Sequence, residues 1–121
     1  MSQNELENFG AYRKALELID LIVKDMEALR EVPECWKLIN QQVASGDSIA
    51  ANMEEGYGRG SRREYAQFLV IARGSARETR GRYLRMHHWL PDQTVRERAA
   101  LCDEVIAILT ASIEKLRKDV P

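Results

Sequence analysis

The chain has 121 residues, 45% apolar and 31% charged, with a net charge of −1, the balance of one soluble globular domain able to bury a single core without staples. Its two cysteines, Cys35 and Cys102, lack a CxxC partner, which argues against a zinc site or a disulfide framework. No apolar run approaches the roughly 20 residues of a membrane span, and the polar, acidic opening MSQNELENFG is unlike a secretory signal, so a cytoplasmic location without membrane association is expected.

The first helix is predicted over residues 9–31. Tyr12, Leu16, Ile19, Val23 and Met26 recur at alternating steps of four and three. Ala15, Leu18, Ile22 and Leu29 widen that stripe, the pattern of a core-facing helix. Pro33 marks the break, since proline suits the first turn of a new helix. The second helix is predicted over residues 34–55. Its middle, Ser45-Gly46-Asp47-Ser48, joins four weak helix formers, so the segment is either locally bent or held helical by its neighbours. Gln41, Ser48, Asn52 and Glu55 fall at offsets 0, 7, 11 and 14, on one face. That polar stripe reads either as a solvated face or as a buried network fixing register, and spacing alone favours the solvated face.

Gly56, Gly58 and Gly60 then interrupt the chain, with Gly56 expected as a left-handed cap. Ser61 and Glu64 read as a capping box that starts a third helix over residues 62–90. The glycine turn follows a helix and lacks a GK[ST] ending, so it is not a P-loop. A helix start beside Arg59, Arg62 and Arg63 offers an anion site as the alternative to ordinary capping.

Tyr65, Phe68, Ala72, Ala76, Thr79, Tyr83, Met86 and Leu90 form the third helix's expected core stripe. Val70, Gly74, Gly81 and His88 share a different face. Glycines weaken a helix, so this face is a candidate subunit contact, the plain alternative being tolerated glycines. Arg73, Arg77 and Arg80, at offsets 0, 4 and 7, make a third stripe that suits phosphates and equally suits carboxylates on a neighbouring helix. Charge is segregated along the chain: residues 1–56 carry a net −6 and residues 57–98 a net +6, the latter from arginines alone. Either the middle segment meets an anionic partner, or acidic helices pack beside it within or between subunits.

The fourth helix is predicted over residues 92–118. Val95, Ala99, Cys102, Ile106, Leu109, Ile113 and Leu116 form a heptad seam, and Leu101, Val105 and Ile108 add a second apolar line toward another neighbour. Four long helices with short connections and no strand signal give an all-α, antiparallel up-down-up-down four-helix bundle, one domain over residues 1–121. Such bundles often hold paired metals through Glu-x-x-His motifs, but none occurs here, and the only histidines, His87 and His88, are adjacent. Hydrolase, dinucleotide and cysteine–histidine patterns are missing too. The expectation is no enzyme, no metal and no cofactor.

Ser48-Ile49-Ala50-Ala51-Asn52-Met53-Glu54-Glu55-Gly56 resembles the S-I-P-x-N-I-A-E-G pattern of the 23S rRNA intervening-sequence protein family. Phe9, Tyr12, Lys14, Ala15, Gln41, Arg59, Ser61, Glu64, Phe68-Leu69, the run Ile71 to Ser75 and Glu78 extend the similarity over about residues 8–116. The resemblance implies a bundle that assembles into a ring-shaped homopentamer without established enzymatic activity. It also implies that Gln41, Ser48, Asn52 and Glu55 form a buried or inter-helical network. The related accessory variability determinant proteins of diversity-generating retroelements bind nucleic acid and a reverse transcriptase through a strongly basic surface. Two departures matter. The family's proline is Ala50, and its basic pair before the serine is Val43 and Ala44. With a pI near 6.1, any basic surface is confined to the third helix. The expected function is a non-enzymatic oligomeric scaffold or accessory factor partnered with itself. The alternative is nucleic-acid or anion binding through Arg59, Arg62, Arg63, Arg73, Arg77 and Arg80, with a protein partner as a further option.

Overall fold

A computed structural model describes residues 3–118, with side chains from residue 5 onward; the ends of the expected domain, residues 1–2 and 119–121, lie outside the described residues. A short α1 (Gln3–Asn8) precedes four long helices, α2 (Gly10–Glu27), α3 (Trp36–Tyr57), α4 (Arg62–Arg85) and α5 (Asp92–Lys118). Short 3-10 turns at Pro33–Cys35 and Met86–His88 occupy two of the connections. Helix α2 packs on α3 and α5, and α4 packs on the same two. Sequence neighbours are therefore spatial neighbours and run antiparallel, the expected four-helix bundle. Among the described residues no helix is long and apolar enough to cross a membrane.

The weak helix formers of α3 are helical without a break, and three of the four, all but the exposed Asp47, meet a neighbouring helix. Ser45 and Ser48 hydrogen-bond to side chains of α4. Gly46 is buried against α2, where a Cβ would lie 2.4 Å from Ile22 Cδ1 and 3.3 Å from Ile19 Cδ1. Gly56 does not act as the expected left-handed cap: no described glycine has a positive φ, and α3 runs past it to Tyr57. Its lack of a side chain serves packing instead, since a Cβ there would sit 2.5 Å from Phe68 Cβ. Helix α4 starts where the capping box places it. The Glu64 backbone N–H donates to Ser61 Oγ at 3.1 Å, and the Ser61 hydroxyl reaches Glu64 Oε1 at 3.4 Å.

The seam of α5 is as expected, with Val95, Ala99, Cys102, Leu109 and Ile113 buried and Ile106 and Leu116 packed against them. On α4 the expected stripe is buried from Ala72 onward and joined by Leu69. Helix α2 differs. Its buried line is Ala11, Ala15, Leu18, Ile22, Asp25 and Leu29, flanked by Tyr12 and Met26. Leu16 and Val23, expected in the core, are 41% and 54% exposed. The small alanines let α2 settle close to its neighbours, and the bulkier line is turned outward on the α3 side. The helix also ends earlier than expected, at Glu27. Turns through residue 32 follow, and the Trp36 indole N–H closes them by donating to the Arg30 carbonyl at 2.9 Å.

Candidate functional site

Between α3 and α4 runs a buried polar seam built from side chains of small or flexible polar residues. Gln42 Nε2 donates to the Thr79 carbonyl at 3.0 Å, and Ser45 Oγ shares a 2.8 Å hydrogen bond with Thr79 Oγ1. One step along, Ser75 Oγ donates to Ser48 Oγ at 3.0 Å, and Asn52 Nδ2 donates to the Ser48 hydroxyl and carbonyl, each at 2.8 Å. Arg82 closes the seam, its Nη1 donating to Gln42 Oε1 and Ser45 Oγ at 2.9 Å and, at 3.4 Å, to the Gln41 carbonyl. Burial lowers the Arg82 pKa.

Of the predicted stripe, Ser48 and Asn52 join this seam. Gln41 contributes only its carbonyl, and its side chain is exposed. Glu55 is also exposed and forms an ion pair with Arg59 one turn on. The seam proper uses Gln42, Ser45, Ser48 and Asn52, a face turned by one residue from the predicted one. The run of small polar residues from 42 to 48 carried the signal, but its partners Ser75, Thr79 and Arg82 lie on another helix.

A second buried polar cluster joins three helices. Tyr83 OH donates to Asp25 Oδ2 at 2.7 Å. Arg98 grips the same carboxylate through Nε at 2.8 Å and Nη2 at 3.2 Å. The hydrogen bond to Asp25 raises the Arg98 pKa, while burial, and then the bond to Asp25, raises that of Tyr83.

The predicted arginines are not gathered into one site. Arg73 Nη1 donates to Thr110 Oγ1 on α5 at 3.2 Å, and Arg80 pairs with Asp103 of α5 at 2.7 Å. Arg59 lies over the Phe68 ring, 4.9 Å from its centroid, while pairing with Glu55. Arg62, Arg63 and Arg77 are exposed. Two of the set, Arg59 and Arg62, line a cleft of about 550 Å³ at the α1 end of the bundle with Lys115 of α5. Phe9, Tyr57, Tyr65 and Leu116 also line that cleft. Burial pushes the Tyr65 phenol up to about 12.

Val70, Gly74 and Gly81 are half-buried on one outward face of α4, and His88 is exposed just beyond its end. The His88 ring lies 4.0 Å from that of His87 and meets Trp89 edge-on at 5.5 Å. A Cβ on Gly74 would meet nothing within 4 Å, and one on Gly81 would meet only Arg85 Nη1, at 3.3 Å. Within one chain, then, no neighbouring backbone explains these glycines.

Residues 7–111 match the model of the family described as 23S rRNA-intervening sequence protein. No curated protein matches the chain in sequence. In fold, the chain is similar to the crystal structure of a protein of unknown function from the S23 ribosomal protein family of Bacteroides thetaiotaomicron. The TM-score is 0.80 at 24% identity, covering 86% of this chain and 98% of that one.

Proposed function

Because the chain belongs to the 23S rRNA-intervening sequence protein family, we propose that it is a non-enzymatic, self-assembling bundle. In this reading it is a cytoplasmic scaffold or accessory factor built as a ring-shaped homopentamer. One observation carries the proposal. Leu16, Ile19 and Val23 of α2 and Trp36, Ile39 and Val43 of α3 form an apolar strip at the edge of the core: Ile19, Ile39 and Val43 are half-buried against it, while Leu16, Val23 and Trp36 are 41%, 54% and 59% exposed. A contiguous apolar surface on a chain whose core is already filled calls for a covering partner, and the ring expected of this family supplies one. Light scattering on the purified protein tests the reading. A mass near five chains is expected, and a monomer at micromolar concentration would overturn it.

A second reading, nucleic-acid binding, draws support from the cleft that Arg59, Arg62 and Lys115 line together with Phe9, Tyr57 and Tyr65. Phosphates suit the cations and bases suit the rings. Fluorescence anisotropy with single-stranded RNA would then show affinity that falls steeply with salt, and weakening by Arg62→Ala with Lys115→Ala. Absence of binding at low salt, or indifference to that double substitution, would remove it.

A further inference from the structure

Two outward surfaces remain unexplained by one chain, and they lie on opposite sides of the bundle. The first is the apolar strip along the α2/α3 side. Gly46 of α3 lies against Ile19 and Ile22, which places Leu16 and Val23 beside that groove. The exposed Asp20 and Asp47 lie on the same side. The second surface lies along the α4/α5 side, where Arg73 and Arg80 reach α5. There Gly74 and Gly81 leave α4 without side chains, and exposed Arg77 and Leu84 border the gap.

The two surfaces match in height. Ser45 bonds Thr79 and Ser48 bonds Ser75, so position 46 of α3 lies level with α4 between Ser75 and Thr79. The same Gly46 lies between Ile19 and Ile22 of α2. Counting along the parallel helices α2 and α4 from that level puts Leu16 beside Arg73 and Val23 beside Arg80. Each is then within about one 1.5 Å residue rise of Gly74 and Gly81. Both pairs are seven residues apart, two helical turns, so two bulky side chains meet two gaps without sliding.

We propose that the α2/α3 strip of one copy packs into the α4/α5 face of the next, with Leu16 and Val23 seated over Gly74 and Gly81. This rests on the assembly reading above and names its surfaces. The charges agree: the strip belongs to the segment with net −6 and the glycine face to the segment with net +6, so Asp20 and Asp47 approach Arg77. The contact is head-to-tail, since the two surfaces differ. A head-to-tail contact with no axial offset does not climb into a filament, and it closes into a ring where its rotation divides the full turn. The occupant is a second copy because the same chain carries both halves in register and in opposite charge.

Two variants test this by mixing. Leu16→Glu with Val23→Glu disables the strip, and Gly74→Glu with Arg77→Glu fills and reverses the glycine face. All four positions are open in the single chain, and circular dichroism checks that each variant keeps its helices. Each alone is expected to be monomeric. Mixed, they are expected to form a dimer of twice the 13.9 kDa chain mass, since each keeps the surface the other lost. A second measurement leaves the surfaces largely intact. Leu16→Cys protein mixed with Gly74→Cys protein is treated with a short bis-maleimide, the native Cys35 and Cys102 being fully buried. Cross-linked dimers are expected in the mixture and not in either protein alone. An assembled wild type whose cysteine variants cross-link no better mixed than alone would overturn the pairing and leave assembly standing. A monomeric wild type would overturn both.

Discussion

Asp25 is only 8% exposed, and a carboxylate survives there because Tyr83 OH and two nitrogens of Arg98 donate to it. Removing the charge strands the other half of the pair. Asp25→Asn keeps the volume but leaves the largely buried Arg98 guanidinium only the half-exposed Glu97, 3.7 Å away, as counter-charge, and is expected to cost about 3 kcal/mol by urea unfolding. Asp25→Leu with Arg98→Met and Tyr83→Phe, which also removes the hydroxyl that Asp25 accepts from, should recover most of that loss, because a buried polar cluster and a packed apolar one differ little in net stability. Nothing local in the sequence announces this cluster. Its members lie 58 and 73 residues apart and meet only because α2, α4 and α5 share one core. The glycines divide in the same way. Gly46→Ala meets the movable end of Ile22, whereas Gly56→Ala meets Phe68 Cβ, which is fixed to the backbone. Gly46→Ala is expected to cost about 1–3 kcal/mol and Gly56→Ala more, read from thermal unfolding. Gly74→Ala, with open space around it, should stabilise the chain by about 1 kcal/mol. The background for that measurement is Leu16→Glu with Val23→Glu, where assembly does not intervene.

Between elements, the α3/α4 seam acts as a register lock: sliding one helix by a turn would break the Ser45–Thr79 and Ser48–Ser75 hydrogen bonds and leave these hydroxyls with at most partners on their own helices. Gln42→Leu removes both the donor to the Thr79 carbonyl and the acceptor for Arg82. Arg82 Nη1 keeps Ser45 Oγ and the Gln41 carbonyl, so losing these two bonds is expected to cost about 1–2 kcal/mol, seen as a lower urea midpoint with unchanged slope. A changed slope would mean that the helices had loosened. The seam also marks what sequence alone conveys. Helical periodicity groups residues onto faces, and the capping box at Ser61 and Glu64 dates the start of α4 to the residue. Periodicity does not say at what angle the next helix lies. For that reason only Ser48 and Asn52 of the polar stripe lie in the seam while Gln41 and Glu55 are exposed, and of the apolar line of α2 the structure buries Tyr12, Ala15, Leu18, Ile22 and Met26 but turns Leu16 and Val23 outward. A second copy pressing on Leu16 and Val23 would satisfy that line in another way.

For the molecule as a whole, alkaline pH probes how many acidic protons the packing retains. The Cys102 thiol is pushed up to about 12, chiefly by burial, from an ordinary value of 9.0, and burial raises the Cys35 thiol too. The Tyr12 phenol rises to about 12 from 10.0, chiefly through its hydrogen bond to Glu54. Burial raises Tyr65 to about 12, and Tyr83 rises in the same direction. In every case the folded chain holds a proton that the unfolded chain releases at lower pH. The stability linked to these groups is therefore fully present below pH 9 and is lost as pH climbs toward 12. The onset belongs to the thiols, because their unfolded value is the lowest, and the tyrosines follow above pH 10. Urea midpoints by circular dichroism at pH 8, 9.5 and 11 should fall in that order. Cys102→Ala should flatten the first step and leave the second, because Tyr12, Tyr65 and Tyr83 keep their surroundings. Midpoints that hold level to pH 11 would mean that water reaches these side chains and that the bundle interior is looser than its packing implies.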